Sequence, residues 1–147
     1  MKKDTIDQLT PIYGRDLLSE LSEDLLKLLP FNKEDVSAAE RITALPLEKI
    51  EPIIPPLLTW LQDLNWPVAQ VLTPYLKGMG IKLQQEIAKI LEGNDVMWQY
   101  WVLVELVNVP DLSLAKSLED KLTKIISGDC DPTVKEEAQK IIQKLHP

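Results

Sequence analysis

The side chains able to do nucleophilic or acid–base chemistry are few and poorly placed for it. A Ser or Cys nucleophile needs a neighbouring base, usually histidine or lysine. The only histidine, His146, stands next to the final residue, where chain ends usually fray. Cys130, the single cysteine, sits in Gly128-Asp129-Cys130-Asp131, between two carboxylates that disfavour a thiolate. One cysteine supplies neither a disulfide framework nor a thiolate metal cluster. Gly78-Met79-Gly80 reads as a helix corner rather than a phosphate-cradling loop. No catalytic residues, no metal site and no cofactor are therefore expected.

Carboxylates and aromatic rings remain. Asp63, Glu92, Asp95, Asp129 and Asp131 fall at polar corners expected to lie along one edge. A hard cation there would need six or more oxygens in a tight loop, so solvated capping carboxylates are the plainer reading. The rings are more informative, because four Trp stand against one Phe and most lie mid-chain. Either they fill core, or Trp66, Trp98 or Trp101 line an exposed groove, where Trp and Tyr are favoured anchors. The candidate binding residues are thus Trp60, Asp63, Asn65, Trp66, Trp98, Tyr100, Trp101 and Glu105. After Asp95, only Gln99 and Glu105 interrupt an apolar run to Val107. Such a helix should be buried. Trp98, Trp101 and Glu105 share a face of it, and a carboxylate there must be paired, hydrogen-bonded to an indole, or neutral.

The elements that would position these residues show in the capping types. Asp35, Asn65, Asp95 and Asp131 are separated by 30, 30 and 36 residues, and each can accept from the free N–H groups of a first helical turn. Ala38, Val68, Trp98 and Val134 follow at offset three, Ile42, Leu72, Val102 and Ala138 at seven, and Pro46, Leu76, Leu106 and Ile142 at eleven. Those offsets trace one face of a helix, and only Pro46 breaks it. Between caps the spacing predicts second helices over 51–62, 81–91 and 112–126, and a closing helix over 132–145. Towards the start, Thr5 is a possible cap, Pro11 and Gly14 interrupt a short turn, and a helix is expected from Arg15 to Leu29, with a fresh start available at Ser22. Little regular structure is expected before Pro52. Pro74 should kink or break its helix, and Gly78, Gly80, Gly93 and Gly128 should close helices with positive φ.

Antiparallel helix pairs repeating every 20–50 residues indicate a solenoid. The expected fold is all-α: a right-handed α–α solenoid in one domain, 1–147, with an N-terminal cap at 1–33, repeats at 34–64, 65–94 and 95–130, and a closing helix at 131–147. Leu61-Gln62-Asp63-Leu64-Asn65-Trp66-Pro67-Val68-Ala69 and Asp131-Pro132-Thr133-Val134-Lys135-Glu136-Glu137-Ala138 resemble HEAT-type repeats in their short bacterial form. The wider pattern, Leu58-x-Trp60-Leu61-Gln62-Asp63-x-Asn65-Trp66-Pro67-Val68 followed by Trp98-x-Tyr100-Trp101, resembles a small bacterial family of unknown function. That resemblance implies a fold and no activity. The arginine usual two or three residues after the cap is absent, since Val68 precedes Ala69 and Val134 precedes Lys135.

Composition narrows the function classes. The formal charge is −7 with a pI near 4.7, and no segment is basic, which disfavours nucleic-acid binding because phosphate neutralisation dominates that affinity. The start, Met1-Lys2-Lys3-Asp4, lacks the apolar run of a signal peptide. The longest apolar stretch falls far short of the roughly 20 residues that span a bilayer. A cytoplasmic location off the membrane is expected. The reading that results is a non-enzymatic protein–protein interaction module, with an immunity, antitoxin or scaffold role that would suit a small acidic protein meeting a basic partner. The alternatives are an enzyme or small-ligand binder acting through carboxylates and Trp of a central groove, and an obligate structural subunit.

Overall fold

The computed structural model describes residues 1–147 and is helical throughout, without a strand. Its residues group into two compact units, Met1–Tyr75 and Leu76–Pro147.

In the first unit, α1 (Lys2–Tyr13) is a full helix, where the sequence suggested only a short turn. Thr5 lies inside it and its hydroxyl donates to the Met1 carbonyl at 3.2 Å. Pro11 is tolerated because it sits on the exposed side, where water can satisfy the carbonyl it orphans. Ile6, Leu9 and Tyr13 form the buried stripe. Gly14 then turns the chain at φ 80° and ψ 149°, a conformation that a β-carbon would strain. The expected helix over 15–29 is instead two single turns, α2 (Arg15–Leu18) and α3 (Glu23–Leu26). Ser22 starts the second, its hydroxyl accepting from the Leu25 N–H at 3.3 Å. Both turns pack on α1.

After Pro30 the chain enters α4 (Val36–Thr43), capped by Asp35 through the Ala38 N–H. Next come α5 (Leu47–Ile50), a 3-10 turn over Glu51–Ile53, α6 (Ile54–Leu58) and a second 3-10 turn over Thr59–Gln62. Regular structure thus does precede Pro52. Ile53, Ile54, Leu57, Leu58 and Leu61 are all buried, and each such side chain contributes roughly 1.5–3 kcal/mol by leaving water. Helix α7 (Pro67–Lys77) runs through Pro74 unbroken. Pro74 and Gln70, whose carbonyl loses its partner, are both exposed, so hydration replaces the missing bond.

The second unit begins with a 3-10 turn over Gly80–Leu83 and continues as α8 (Gln84–Glu92), α9 (Val96–Val102), α10 (Ser113–Ser117), α11 (Glu119–Ser127) and α12 (Pro132–Leu145). Asp95 caps α9 through the Trp98 N–H, and Asp131 caps α12 through the Thr133 and Val134 N–H groups. Helix α8 touches α9 and α11, while α12 touches α9 and α11. The predicted inward positions Leu83, Ile87, Ile90, Leu114, Leu118, Leu122, Val134 and Ala138 are buried. Gly93 and Gly128 keep negative φ, contrary to expectation. At Gly128 the constraint is space, since a β-carbon would lie 2.9 Å from the Lys124 carbonyl oxygen. No helix is long and apolar enough to cross a membrane.

Candidate aromatic groove

Trp60 and Trp66 are brought together by a corner that the prolines begin. Pro55 and Pro56 occupy the first turn of α6, where a missing N–H has no helical partner to lose. The Thr59 hydroxyl donates back to the Pro56 carbonyl at 2.5 Å, and the chain tightens into the 3-10 turn that carries Trp60. Asp63 is extended and ends that turn. Its carboxylate accepts from the Asn65 N–H at 2.9 Å, and its carbonyl from the Trp66 N–H at 3.2 Å. Asn65 itself is exposed, so the corner is held by Asp63 and not by the expected Asn65 cap. The Val68 N–H of α7 is taken up by the Lys33 carbonyl at 3.0 Å.

Trp60 is 3% exposed and is fixed on two sides. Its indole N–H donates to the Tyr13 hydroxyl at 3.0 Å, which donates to the Pro30 carbonyl at 2.5 Å. Edge-to-face contacts join Tyr13 to Trp60 (5.8 Å, 86°) and Trp60 to Trp66 (5.7 Å, 80°). Burial pushes the Tyr13 phenol well above its ordinary range, against the opposing hydrogen bond from Trp60, so it stays a neutral donor. The sole Phe, Phe31, is 64% exposed, yet its backbone is tied down. Its N–H donates to the Asp35 carboxylate at 3.2 Å, and the Glu34 N–H donates to the Asn32 side-chain oxygen at 2.9 Å.

These elements frame a groove of about 370 Å³. Trp60 forms its floor and half-buried Trp66 and Ile12 its walls. Phe31 and Pro11 lie at the edge, and Asn32, Lys33 and Gln62 supply the polar rim. Asp63 is committed to the corner and the exposed Asn65 side chain makes no hydrogen bond, and neither lines the groove.

The other four candidates belong to the second unit. Trp98, Tyr100, Trp101 and Glu105 are all half-buried, and Tyr100 meets Trp101 edge to face at 5.0 Å and 70°. Past Val102 the helix widens into a π turn over Leu103–Val107, closed by the Asn108 N–H on the Leu103 carbonyl at 2.8 Å. That turn departs from the 3.6-residue face on which spacing placed Glu105 with Trp98 and Trp101. Glu105 reaches water and makes no hydrogen bond or ion pair, so the sequestered carboxylate expected there is not found. The polar group of consequence on this helix is Gln99, which is 8% exposed. Its amide donates to the carbonyls of Gly93 (2.8 Å), Ile90 (3.2 Å) and Leu91 (3.4 Å), closing the end of α8.

Elsewhere several titratable groups form surface ion pairs. His146 meets Glu119 at 3.1 Å, and Cys130 is exposed. Lys121 bonds Glu92 and holds that carboxyl below the usual range. No three His, Cys, Asp or Glu side chains converge where a metal could bind.

The family profile described as "Domain of unknown function (DUF5071)" matches residues 28–145. The chain belongs to the DUF5071 family. Its match takes in the whole Phe31–Trp66 half of the groove and leaves Pro11, Ile12 and Tyr13 outside. No curated protein matches this DUF5071 chain. Phe31, Lys33 and Ile12 escaped the sequence reading. The available signal was a lone Phe in a polar run, Phe31-Asn32-Lys33-Glu34-Asp35, where an apolar ring has no core to enter.

Proposed function

We propose that this DUF5071 chain is a non-enzymatic protein-interaction module, an α–α solenoid of HEAT-like repeats that receives a partner's side chain in the Trp60–Trp66 groove. An immunity-type or scaffold role fits that reading. The repeat assignment is supported in the second unit, where α9 touches α12 and α8 touches α11, the like-on-like contacts that stacked helix pairs make. Its capping residues Asp95 and Asp131 begin equivalent helices.

One observation carries the functional reading. Phe31 is exposed on a backbone pinned by Asp35 and lines the same groove as Trp66 and the immobilised Trp60. An apolar ring left in water on a backbone already fixed costs solvation and saves part of the ordering entropy when something covers it, which is how preorganised binding sites gain affinity. Aromatic anchors also dominate interface energetics. Replacing Phe31 with the photo-crosslinker benzoyl-phenylalanine, and Ile81 as another exposed apolar position for control, gives the test. A discrete adduct with one protein in native lysate at position 31 and none at 81 is the expected result. No adduct, or the same adducts at both positions, overturns it.

A second reading is favoured by size. About 370 Å³ falls in the range of small-molecule sites, roughly 300–1,000 Å³, so a planar ligand could fill the groove. A change in Trp fluorescence across a nucleotide and metabolite panel tests that alternative.

A further inference from the structure

The rim of the groove carries charge of the opposite sign to the body around it. Residues 1–75 hold 7 basic and 12 acidic side chains. The groove lining nevertheless contains one charged side chain, the exposed Lys33, and no carboxylate. Lys33 makes no ion pair or side-chain hydrogen bond, and its backbone is anchored by the Val68 N–H. Three of the other polar groups of the lining add unused donors, while the Thr59 hydroxyl donates to Pro56. The Trp66 indole N–H and the Gln62 amide make no hydrogen bond in the structure. The Asn32 side chain uses only its oxygen, toward the Glu34 N–H. Asp35 accepts from the Phe31 and Ala38 N–H groups and Asp63 from the Asn65 N–H, while exposed Glu34, next along the chain, forms no ion pair with Lys33.

Resting on the interaction reading above, we propose that the groove docks a segment of a partner protein in which a bulky apolar side chain stands next to an aspartate or glutamate. The apolar side chain lies against Trp66 and Phe31, and the carboxylate accepts from Lys33 and the neighbouring N–H donors. Charge complementarity decides the occupant. A lysine or arginine beside the apolar anchor would face Lys33 with like charge, and a neutral polar residue would leave the ammonium unpaired. Rim charges set specificity more than affinity, so most of the binding comes from the rings and the carboxylate provides the discrimination.

The test follows the indole N–H signals and the amides of residues 31–33 in the ¹⁵N-labelled full chain by NMR. The probes are the capped dipeptides Ac-Phe-Asp-NH2, Ac-Phe-Asn-NH2, Ac-Phe-Lys-NH2 and Ac-Ala-Asp-NH2, with 3-phenylpropanoate as a free acid. Ac-Phe-Asp-NH2 should shift the Trp66 indole and the Phe31–Lys33 amides. At low salt it should bind about threefold or more tighter than Ac-Phe-Asn-NH2, the size expected of an exposed ion pair. That preference should vanish in Lys33→Met, and Ac-Ala-Asp-NH2 should bind far more weakly. Phe31→Ala and Trp66→Ala should weaken every arm; Phe31 and Lys33 are exposed, so those two variants keep the fold and carry the test even if Trp66→Ala, half-buried against Trp60, loses stability.

Equal or tighter binding of the Asn or Lys dipeptide overturns the carboxylate while leaving an apolar docking groove and the interaction reading standing. Tighter binding of 3-phenylpropanoate than of Ac-Phe-Asp-NH2 overturns the peptide occupant in favour of a small aryl acid. No shift at Trp66 or Phe31 with any probe overturns the proposal outright. The crosslinking result at position 31 then decides the interaction reading separately.

Discussion

Tyr13 shows how a single polar atom can organise aromatic packing. Its hydroxyl sits between the Trp60 indole and the Pro30 carbonyl, so removing it orphans a buried donor and a buried acceptor together. Tyr13→Phe should cost about 1–3 kcal/mol, read as a lower urea midpoint with an unchanged slope. Its titration gives a second, signed prediction. The native phenol resists ionisation, so above pH 10, the ordinary value, the unfolded state loses a proton that the native state keeps. Stability should then fall by about 1.4 kcal/mol per pH unit for that one group. Tyr75, raised by burial and by Glu48, adds in the same direction. Below pH 10 neither contributes a slope. Tyr13→Phe should flatten the alkaline limb, and an unchanged limb would remove Tyr13 as its source. At the neighbouring corner the roles of Asp63 and Asn65 separate cleanly. Asp63→Ala should cost about 1 kcal/mol, as loss of a capping acceptor does. Asn65→Ala, at an exposed position, should lie within about 0.5 kcal/mol of the parent. Both are measurable by thermal unfolding.

Among the elements, the end of α8 and the start of α9 depend on Gln99. One amide donates to three carbonyls at the end of α8, of which only that of Ile90 also accepts from the Gly93 N–H. Gln99→Glu keeps the shape but turns a donor into an acceptor, and sets a negative charge at the negative end of the α8 dipole. We expect a loss of about 2 kcal/mol or more and faster hydrogen exchange confined to the last turn of α8. Exchange that accelerates evenly over the chain would show that the bond is not local to that joint. The same scale explains where pattern and structure part. The expected 15–29 helix failed because Ser22 offered its hydroxyl to the Leu25 N–H, and the chain restarted instead of continuing. The Pro74 break failed because Gln70, whose carbonyl it orphans, is exposed and open to water. The π turn over Leu103–Val107 interrupts the 3.6-residue period by which spacing set Glu105 with Trp98 and Trp101.

Across the whole molecule, the acidic excess of 7 charges is a statement about partners and solubility. Solubility should be lowest near pH 4.7, the sequence pI. At 150 mM salt no retardation of duplex DNA is expected in a native gel, and salt-sensitive retardation would contradict the charge argument.

The helical character, the capping roles of Asp35, Asp95 and Asp131, and most of the buried aliphatic positions followed from spacing alone, though Ile50 and Ile141 did not. Burial on one face imposes a period that a single sequence displays, and a capping side chain acts within three residues of itself. What only the tertiary structure decided was which rings are core and which are surface. Trp60 and Trp66 lie six residues apart with similar neighbours, and one is sealed while the other is open. Tyr13, 47 residues from Trp60, makes that difference. Phe31 and Lys33 join the site because the Lys33 carbonyl accepts from Val68, 35 residues further on. Contacts between such distant residues leave no periodic trace in the chain, so the groove exists only once the fold has closed it.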